Sequence, residues 1–306
     1  MNLSLQFDKG TILVYGAEKN QLQFLNGLSW DERTNSFRAP AAEYRKLVTD
    51  LRKHKITYND NARKFSALTF PLKKKITPRS FQTEAAEAWI SEKRGVVTLP
   101  TGAGKTILAV MLIARIGRPT LIHVPTIDLM GQWNAVLNEY FDVKIGLLGG
   151  GVNDIQLITV ATYDSALLHV PYRGDQFGLL VFDECHHLPG EQFKFTALGS
   201  IAPFRLGLTA TPERSDGKEK VLYELCGPLC YETHIDELSG KTLAPYLVKT
   251  IEVEMLPEDR EQYEISRKCY TDFLGKARIS FKHPHGWSIF LRRTSESQEG
   301  REAFKA

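Results

Sequence analysis

The chain has 306 residues, of which 42% are hydrophobic and 25% are charged. These are ordinary values for globular proteins, so they exclude disordered, collagen-like and low-complexity classes. The length suggests about two domains. No apolar run approaches the roughly 18 residues of a membrane span, and the N-terminus lacks the pattern of a signal peptide. We therefore expect no membrane association.

Charge is unevenly distributed along the chain. The first 75 residues carry 14 Lys and Arg against 7 Asp and Glu, whereas the remainder carries 25 against 29. This asymmetry favours a polyanionic partner, although a solvated basic helix face explains it equally well. Four scattered cysteines fit neither a disulfide scaffold nor a zinc site, which indicates a reducing, intracellular compartment.

Residues 1–72 are predicted to form a small, basic α+β domain. Leu3, Leu5 and Phe7 alternate with polar residues before a turn, and Ile12 and Val14 follow it, which predicts a hairpin. The segment AAEYRKLVTDLRKH after Pro40 predicts an amphipathic helix. Its polar face is basic, with Arg45, Lys46, Arg52 and Lys53.

Residues 73–245 are predicted to form an α/β domain with a doubly wound parallel sheet. The proline- and lysine-rich segment FPLKKKITPRS marks the boundary. Short apolar runs that alternate with helical stretches are typical of buried parallel strands, whose carboxyl ends share one edge of the sheet. These runs lie at 96–99, 120–124, 157–162, 179–184 and 206–211.

The segment PTGAGKT (100–106) lies between one such run and an apolar helix, as a phosphate-binding loop requires. Its backbone N–H groups would form an anion nest, Lys105 would reach the β- and γ-phosphates, and Thr106 would hold Mg²⁺. Leu99 stands where such loops usually begin with glycine. A glycine-rich turn with a chance lysine is the alternative. The nucleotide-binding candidates here are Thr101, Gly102, Ala103, Gly104, Lys105 and Thr106.

Two acids end the run LLVF. We expect Asp183 to bind Mg²⁺ and Glu184 to polarise an attacking water, because two carboxylates at the end of a buried strand need a compensating cation or hydrogen bonds. A helix N-cap cluster is the alternative.

The runs PTGAGKT, DECHH and LTATPERSDG together resemble superfamily 2 helicases, and within them the xeroderma pigmentosum group B (XPB) branch of DNA helicases and translocases of repair and transcription initiation. The resemblance implies one RecA-like lobe over about residues 79–211, with ATP and Mg²⁺ as cofactors. The segment GLSWDERTNSFRAPAAEYRKLVTDL (27–51) is similar to the N-terminal damage-recognition domain of that branch.

The resemblance also implies roles for residues outside the two central motifs. Arg79 and Gln82 would recognise adenine, although Gln82 taken on its own is more typical of a surface glutamine in a helix. His186, with Thr209 and Thr211, would couple the presence of the γ-phosphate to the binding of nucleic acid. Arg214 and Asp216 occupy the place of an Arg-Glu-Asp triplet whose middle carboxylate is here replaced by serine.

The DNA-binding candidates implied by the resemblance are Thr126, Gln132, Trp133 and Thr162. Hydroxyl, amide and backbone N–H groups bind phosphates without reading sequence, so single- or double-stranded DNA fits and RNA remains open. Trp133 is expected either to stack on a base or to be a core aromatic of its helix.

The family uses a second RecA-like lobe whose arginines complete the ATP site. Residues 246–306 read as a strand and helical extension, so we expect that lobe to be supplied in cis or in trans. A nuclease or repair protein is a further expected partner, and the location is the prokaryotic cytoplasm and nucleoid, or the nucleus of a eukaryote. The alternatives are a motor subunit of a restriction or anti-phage enzyme, and a non-catalytic docking module.

Overall fold

The computed structural model describes residues 2–25, 27–211, 217, 219–238, 250–281 and 286–305. They belong to two compact units, Met1–Pro245 and Tyr246–Ala306. Among the described helices, none combines the length and apolar character that crossing a bilayer demands.

The N-terminal part of the first unit is built on a five-stranded sheet. Its strands are β1 (Asn2–Asp8), β2 (Thr11–Tyr15), β3 (Ser29–Asp31), β4 (Ser36–Pro40) and β5 (Thr57–Asp60). They lie in the order β3-β4-β2-β1-β5. β1 pairs with β2 in antiparallel register, with Leu5 opposite Val14, which confirms the predicted hairpin. The inward residues alternate as a half-buried sheet requires.

One helix covers this sheet. A 3₁₀ turn at Ala41–Glu43 leads into α1 (Tyr44–Lys53), so the α-helix begins three residues after the predicted stretch does. Tyr44, Leu47, Val48 and Leu51 are buried against the sheet, whereas the four basic side chains predicted for the other face are exposed. Ile201, from the following α/β region, completes this apolar core.

The α/β region contains an eight-stranded sheet. Its strands are β6 (Arg94–Thr98), β7 (Thr120–Val124), β8 (Ile145–Gly149), β9 (Val152–Asp154), β10 (Ile158–Thr162), β11 (Leu179–Asp183), β12 (Phe204–Thr209) and β13 (Leu229–Glu232). The order is β13-β6-β12-β11-β7-β10-β8-β9, and only the β8–β9 pair among them is antiparallel. All five predicted runs are strands, and the doubly wound α/β fold is confirmed.

Helices pack on both faces of this sheet. They are α2 (Ser80–Glu92), α3 (Lys105–Ile116), α4 (Ile127–Tyr140), α5 (Tyr163–Arg173), α6 (Lys194–Leu198) and α7 (Glu219–Cys226), and a short helix, α8 (Ile235–Leu238), follows β13. Two separate apolar cores, one on each face, result from this arrangement. The residues that end β6, β12 and β11 therefore meet at one edge of the sheet.

The second unit is helical where it is described. It contains α9 (Pro257–Ala277), α10 (Gly286–Glu296) and α11 (Gln298–Lys305). α9 lies in the extension that was predicted to be partly helical, while residues 250–256 form no strand. Phe273 of α9, Phe290 of α10 and Ala303 of α11 form its small core.

His123 is a fully buried titratable group at the centre of the large sheet. Its ring stacks on Phe182 with centroids 4.5 Å apart, and its Nδ1 lies 3.2 Å from the Val181 carbonyl. Burial lowers the pKa of His123 to about 4. The imidazole is therefore neutral in the folded protein at pH values where the unfolded chain is already protonated.

We expect the free energy of unfolding to fall as the pH drops below about 6.5, the ordinary pKa of histidine. The unfolded state binds the extra proton, so His123 alone should reduce stability by about 2 kcal/mol between pH 7 and pH 5. Urea unfolding at both pH values measures this change. His123→Leu should remove that part of the pH dependence, and the same substitution at exposed His54 should not. Equal pH dependence in wild type and His123→Leu would contradict the assignment.

Candidate active site

The phosphate loop connects β6 with α3 at the carboxyl edge of the sheet. Gly104 is the N-cap of α3 and has a φ of 82°, in the left-handed region that favours glycine. A Cβ at this position would lie 2.5 Å from Gln82 Nε2. Thr101 and Gly102 are exposed, whereas Ala103 is buried. The first turn of α3 thus presents free backbone N–H groups at this edge.

Lys105 reaches across the edge toward the acids. Its Nζ donates to the Leu99 carbonyl at 3.3 Å and lies 3.8 Å from Glu184 Oε1. The lysine side chain is only 12% exposed. Leu99 itself is fully buried in the core, so the residue that replaces the usual glycine fills space while its carbonyl holds the lysine. Thr106 follows directly in the first turn of α3.

Asp183 ends β11 and is buried. Its Oδ2 accepts a hydrogen bond from Trp133 Nε1 at 2.7 Å, and its Oδ1 accepts one from the Glu184 backbone N–H at 3.1 Å. Burial raises the pKa of Asp183 above its ordinary value, while the Trp133 hydrogen bond and the charge of Lys105 oppose that rise. A buried carboxylate held in this way is suited to a cation at the strand end.

His186 lies between Glu184 and Thr209, the last residue of β12. Glu184 adopts a left-handed backbone conformation with φ 46°, a strained geometry typical of functional sites. His186 Nδ1 lies 3.4 Å from Glu184 Oε2 and 3.2 Å from Thr209 Oγ1. Thr209 donates its own proton to the Thr211 carbonyl at 2.9 Å. This direction of the Thr209 hydroxyl, together with the nearby Glu184 carboxylate oxygen, favours the tautomer that carries its hydrogen on His186 Nδ1.

Gln82 braces the phosphate loop from α2. Its Nε2 donates to the carbonyls of Ala103 and Gly104 at 3.0 and 3.3 Å, and its Oε1 accepts from the Arg79 backbone N–H at 2.9 Å. Gln82 is buried, so the surface-glutamine alternative is wrong. Its amide is already engaged, and contact with adenine would require these bonds to rearrange.

The four predicted DNA-binding residues separate into two pairs. Thr126 and Gln132 are exposed, and Thr126 caps α4 by accepting from the Leu129 N–H at 3.2 Å. Thr162 is buried and caps α5, where it accepts from the Ser165 N–H at 3.3 Å. Trp133 is 2% exposed. Base stacking by Trp133 is incompatible with this burial, so the alternative of a core aromatic is correct.

Sequence reasoning also missed a residue that contacts the acids. Tyr163, the first residue of α5, donates its hydroxyl to the Asp183 main-chain carbonyl at 3.0 Å. No motif around Tyr163 indicates this contact, because Asp183 lies 20 residues further along the chain. Arg214 and Asp216, the remaining predicted residues, lie outside the described part of the chain.

Two family models match the chain in sequence. The Xeroderma pigmentosum group B helicase damage recognition domain matches residues 5–62, and the res subunit of type III restriction enzymes matches residues 75–214. The second match covers the phosphate loop, the acids and Thr209 together. It therefore coincides with the site that the structure assembles.

Curated relatives extend this similarity over most of the chain. The DNA 3'-5' translocase XPB2 of Sulfurisphaera tokodaii is 40% identical over 92% of this chain and 64% of its own length. The DNA 3'-5' helicase XPB of Mycobacterium tuberculosis is 30% identical over 70% of this chain and 42% of its own length. The chain thus spans between two fifths and two thirds of these relatives. Matches to both the damage recognition domain and the helicase region place the chain in the XPB branch of the superfamily 2 helicases.

Proposed function

We propose that this chain contains the N-terminal domain and the first ATPase lobe of an ATP-dependent DNA helicase or translocase of XPB type. The observation that carries the proposal is the approach of Lys105 Nζ to Glu184 Oε1, 3.8 Å apart at the ends of non-adjacent strands. This short distance shows that the phosphate loop and the two acids, the motifs expected of a nucleotide hydrolase, lie next to each other. The match at residues 5–62 supports the XPB branch over a restriction or anti-phage motor.

The residues at this edge fit a magnesium–nucleotide complex. Gly104 has the left-handed φ of 82° that a tightly wrapped loop requires, and the N-terminus of α3 presents backbone donors and a favourable dipole to phosphates. Lys105 would neutralise the β- and γ-phosphates, while Thr106 and Asp183 would hold Mg²⁺. The bound ion would supply charge neutralisation on the transferred phosphoryl group. Glu184 would orient and polarise the attacking water.

Arg79 and Gln82 remain our candidates for adenine recognition. They lie at the start of α2, where Gln82 already contacts the phosphate loop. His186, Thr209 and Thr211 form one hydrogen-bonded chain from the acids to β12, which supports a coupling role. A second lobe, in cis or in trans, would complete the site with arginines.

DNA is the proposed polynucleotide, and repair or transcription is the proposed setting. The relatives named above are DNA translocases and helicases. Thr126 and Gln132, with the backbone donors of α4 and α5, would contact phosphates without reading sequence. We accordingly propose that the protein acts where DNA is present, in the nucleoid or the nucleus. A repair protein or nuclease remains a proposed partner.

We also propose three functional regions, at residues 1–72, 73–245 and 246–306. The first has its own five-stranded sheet and its own apolar core, which supports a distinct basic domain. The Ile201 side chain joins that core, so the domain and the lobe pack as neighbours within the first unit.

Equilibrium binding tests the central proposal. The purified chain should bind ATP in a manner that depends on Mg²⁺, and fluorescence titration with a labelled ATP analogue measures this. It should also bind a DNA duplex or single strand with an affinity that falls as salt rises. Absence of Mg²⁺-dependent ATP binding would contradict the proposed function.

The basic face of α1 yields a separate prediction. Lys46 and Lys53 are exposed on α1, and replacing both with glutamine should weaken DNA binding at low salt. The slope of log K against log salt should fall by about 0.9 for each phosphate contact that is lost. Lys144→Gln, at an exposed lysine paired with Asp154, is the control. An unchanged slope in the double variant would show that this face is only solvated.

A further inference from the structure

Two buried aromatic side chains hold Asp183 from two different helices. Trp133 of α4 donates to the carboxylate Oδ2 at 2.7 Å, and Tyr163 of α5 donates to the main-chain carbonyl at 3.0 Å. Both aromatic residues are almost completely buried. The Trp133 bond is short and charge-assisted, and it lies where water does not compete, so it restrains the carboxylate strongly.

Each of these helices begins on the surface proposed to bind phosphates. α4 starts after Thr126 and carries the exposed Gln132 immediately before Trp133. α5 is capped by Thr162, and Tyr163 is its first residue. β7 and β10, which lead into the two helices, are adjacent parallel strands. A polynucleotide that contacts the starts of both helices therefore contacts the same two helices that hydrogen-bond to Asp183.

A buried indole needs a hydrogen-bond acceptor, but that acceptor need not be a carboxylate. Trp89 in the same domain is also fully buried, and a main-chain carbonyl satisfies its N–H. Its Nε1 donates to the Arg205 carbonyl at 3.0 Å. Trp133 instead uses the side chain of the acid assigned to Mg²⁺. The two buried indoles therefore differ in that only the Trp133 hydrogen bond restrains a titratable side chain of the candidate site.

We propose that Trp133 and Tyr163 are positioning residues that fix Asp183 relative to the phosphate loop and transmit displacement of α4 or α5 to it. Hydrogen-bond strength depends on distance and angle, so a small shift of either helix on polynucleotide binding alters the orientation of the carboxylate. Both side chains are almost completely buried, so we assign them a role that acts through Asp183 rather than through direct contact with a ligand. The inference rests on the proposed function, because it takes Asp183 to face a magnesium–nucleotide complex.

The test compares Trp133→Phe with Trp89→Phe in the whole chain. Both changes keep a buried aromatic ring and remove one indole N–H, but only the first frees Asp183. The measured quantity is the Mg²⁺ concentration that half-saturates binding of a fluorescent ADP analogue. Loss of a hydrogen bond that orients a metal ligand typically weakens the metal about tenfold or more. We expect that shift in Trp133→Phe and none in Trp89→Phe.

Coupling is tested by repeating the titration with a saturating DNA oligonucleotide. In the wild type, DNA should change the Mg²⁺ requirement, and by linkage Mg²⁺–nucleotide should change the DNA affinity by the same factor. Trp133→Phe should reduce this factor toward one, and Trp89→Phe should preserve it. Tyr163→Phe should shift the Mg²⁺ requirement in the same direction, and it carries the test if Trp133→Phe does not fold.

Identical Mg²⁺ requirements and identical coupling factors in Trp133→Phe and Trp89→Phe would overturn the inference while leaving the proposed function intact. Equal loss of nucleotide affinity with and without Mg²⁺ would also overturn it, because the effect would then be general destabilisation. A wild-type chain that binds no nucleotide at any Mg²⁺ concentration would instead refute the proposed function, and the inference with it.

Discussion

Replacing Lys105 with alanine is expected to weaken nucleotide binding at least about 100-fold while the fold is retained. The Lys105 Nζ lies between the Leu99 carbonyl and Glu184 on the side of the phosphate loop that faces the acids. Hydrogen bonds to charged groups contribute about 1.5–3 kcal/mol each, and the lysine would make two of them to a triphosphate. No neighbouring side chain of the loop, PTGAGKT, can replace that charge.

Fluorescence titration with an ATP analogue measures this loss, and circular dichroism with thermal unfolding establishes that the variant is folded. Lys144→Ala is the matched control, because Lys144 is an exposed lysine of the same lobe that is paired with Asp154. Nucleotide affinity in Lys105→Ala equal to that in Lys144→Ala would refute the assignment of the phosphate loop. It would also remove the support that the short Lys105–Glu184 distance gives to the proposed function.

The central strands of the lobe were predictable because parallel strands that are buried on both faces read as continuous apolar runs. β7, at Thr120–Val124, matches its predicted run residue for residue. β8, with the sequence IGLLG, was missed since its glycines and the glycine run after it are typical of loops. β13, with the sequence LCYE, was missed because a four-residue edge strand with a charged end carries no clear periodicity.

The site was predictable only where chemistry and spacing are both distinctive. Lys105, Asp183 and Glu184 combine a motif with a strand end, whereas Trp133 depends on the tertiary structure. Met130, Trp133 and Leu137 are buried together on α4, and this helical spacing is typical of a core face. The partner it would find, Asp183, lies 50 residues away in sequence. No periodicity within α4 can indicate such a contact.

Replacing Glu184 with glutamine is expected to separate ATP binding from hydrolysis. Glutamine keeps the size of the side chain beside Lys105 and His186 but cannot accept a proton. We therefore expect ATP affinity close to that of the wild type. Hydrolysis should fall by roughly 10²–10⁴, the usual contribution of a positioned general base. Single-turnover ATP hydrolysis in the presence of DNA and the second lobe measures the chemical step directly.

The control for this variant is Glu191→Gln, which removes a carboxylate from an exposed position of the segment after β11. That change should leave both affinity and hydrolysis unaffected. Because Glu184 Oε2 lies 3.4 Å from His186 Nδ1, the Gln variant should also weaken the connection to Thr209 and reduce stimulation by DNA. A variant that hydrolyses ATP normally would assign water activation to another group. A variant that hydrolyses slowly but keeps full stimulation by DNA would place the coupling in the contacts of Asp183 rather than in those of His186.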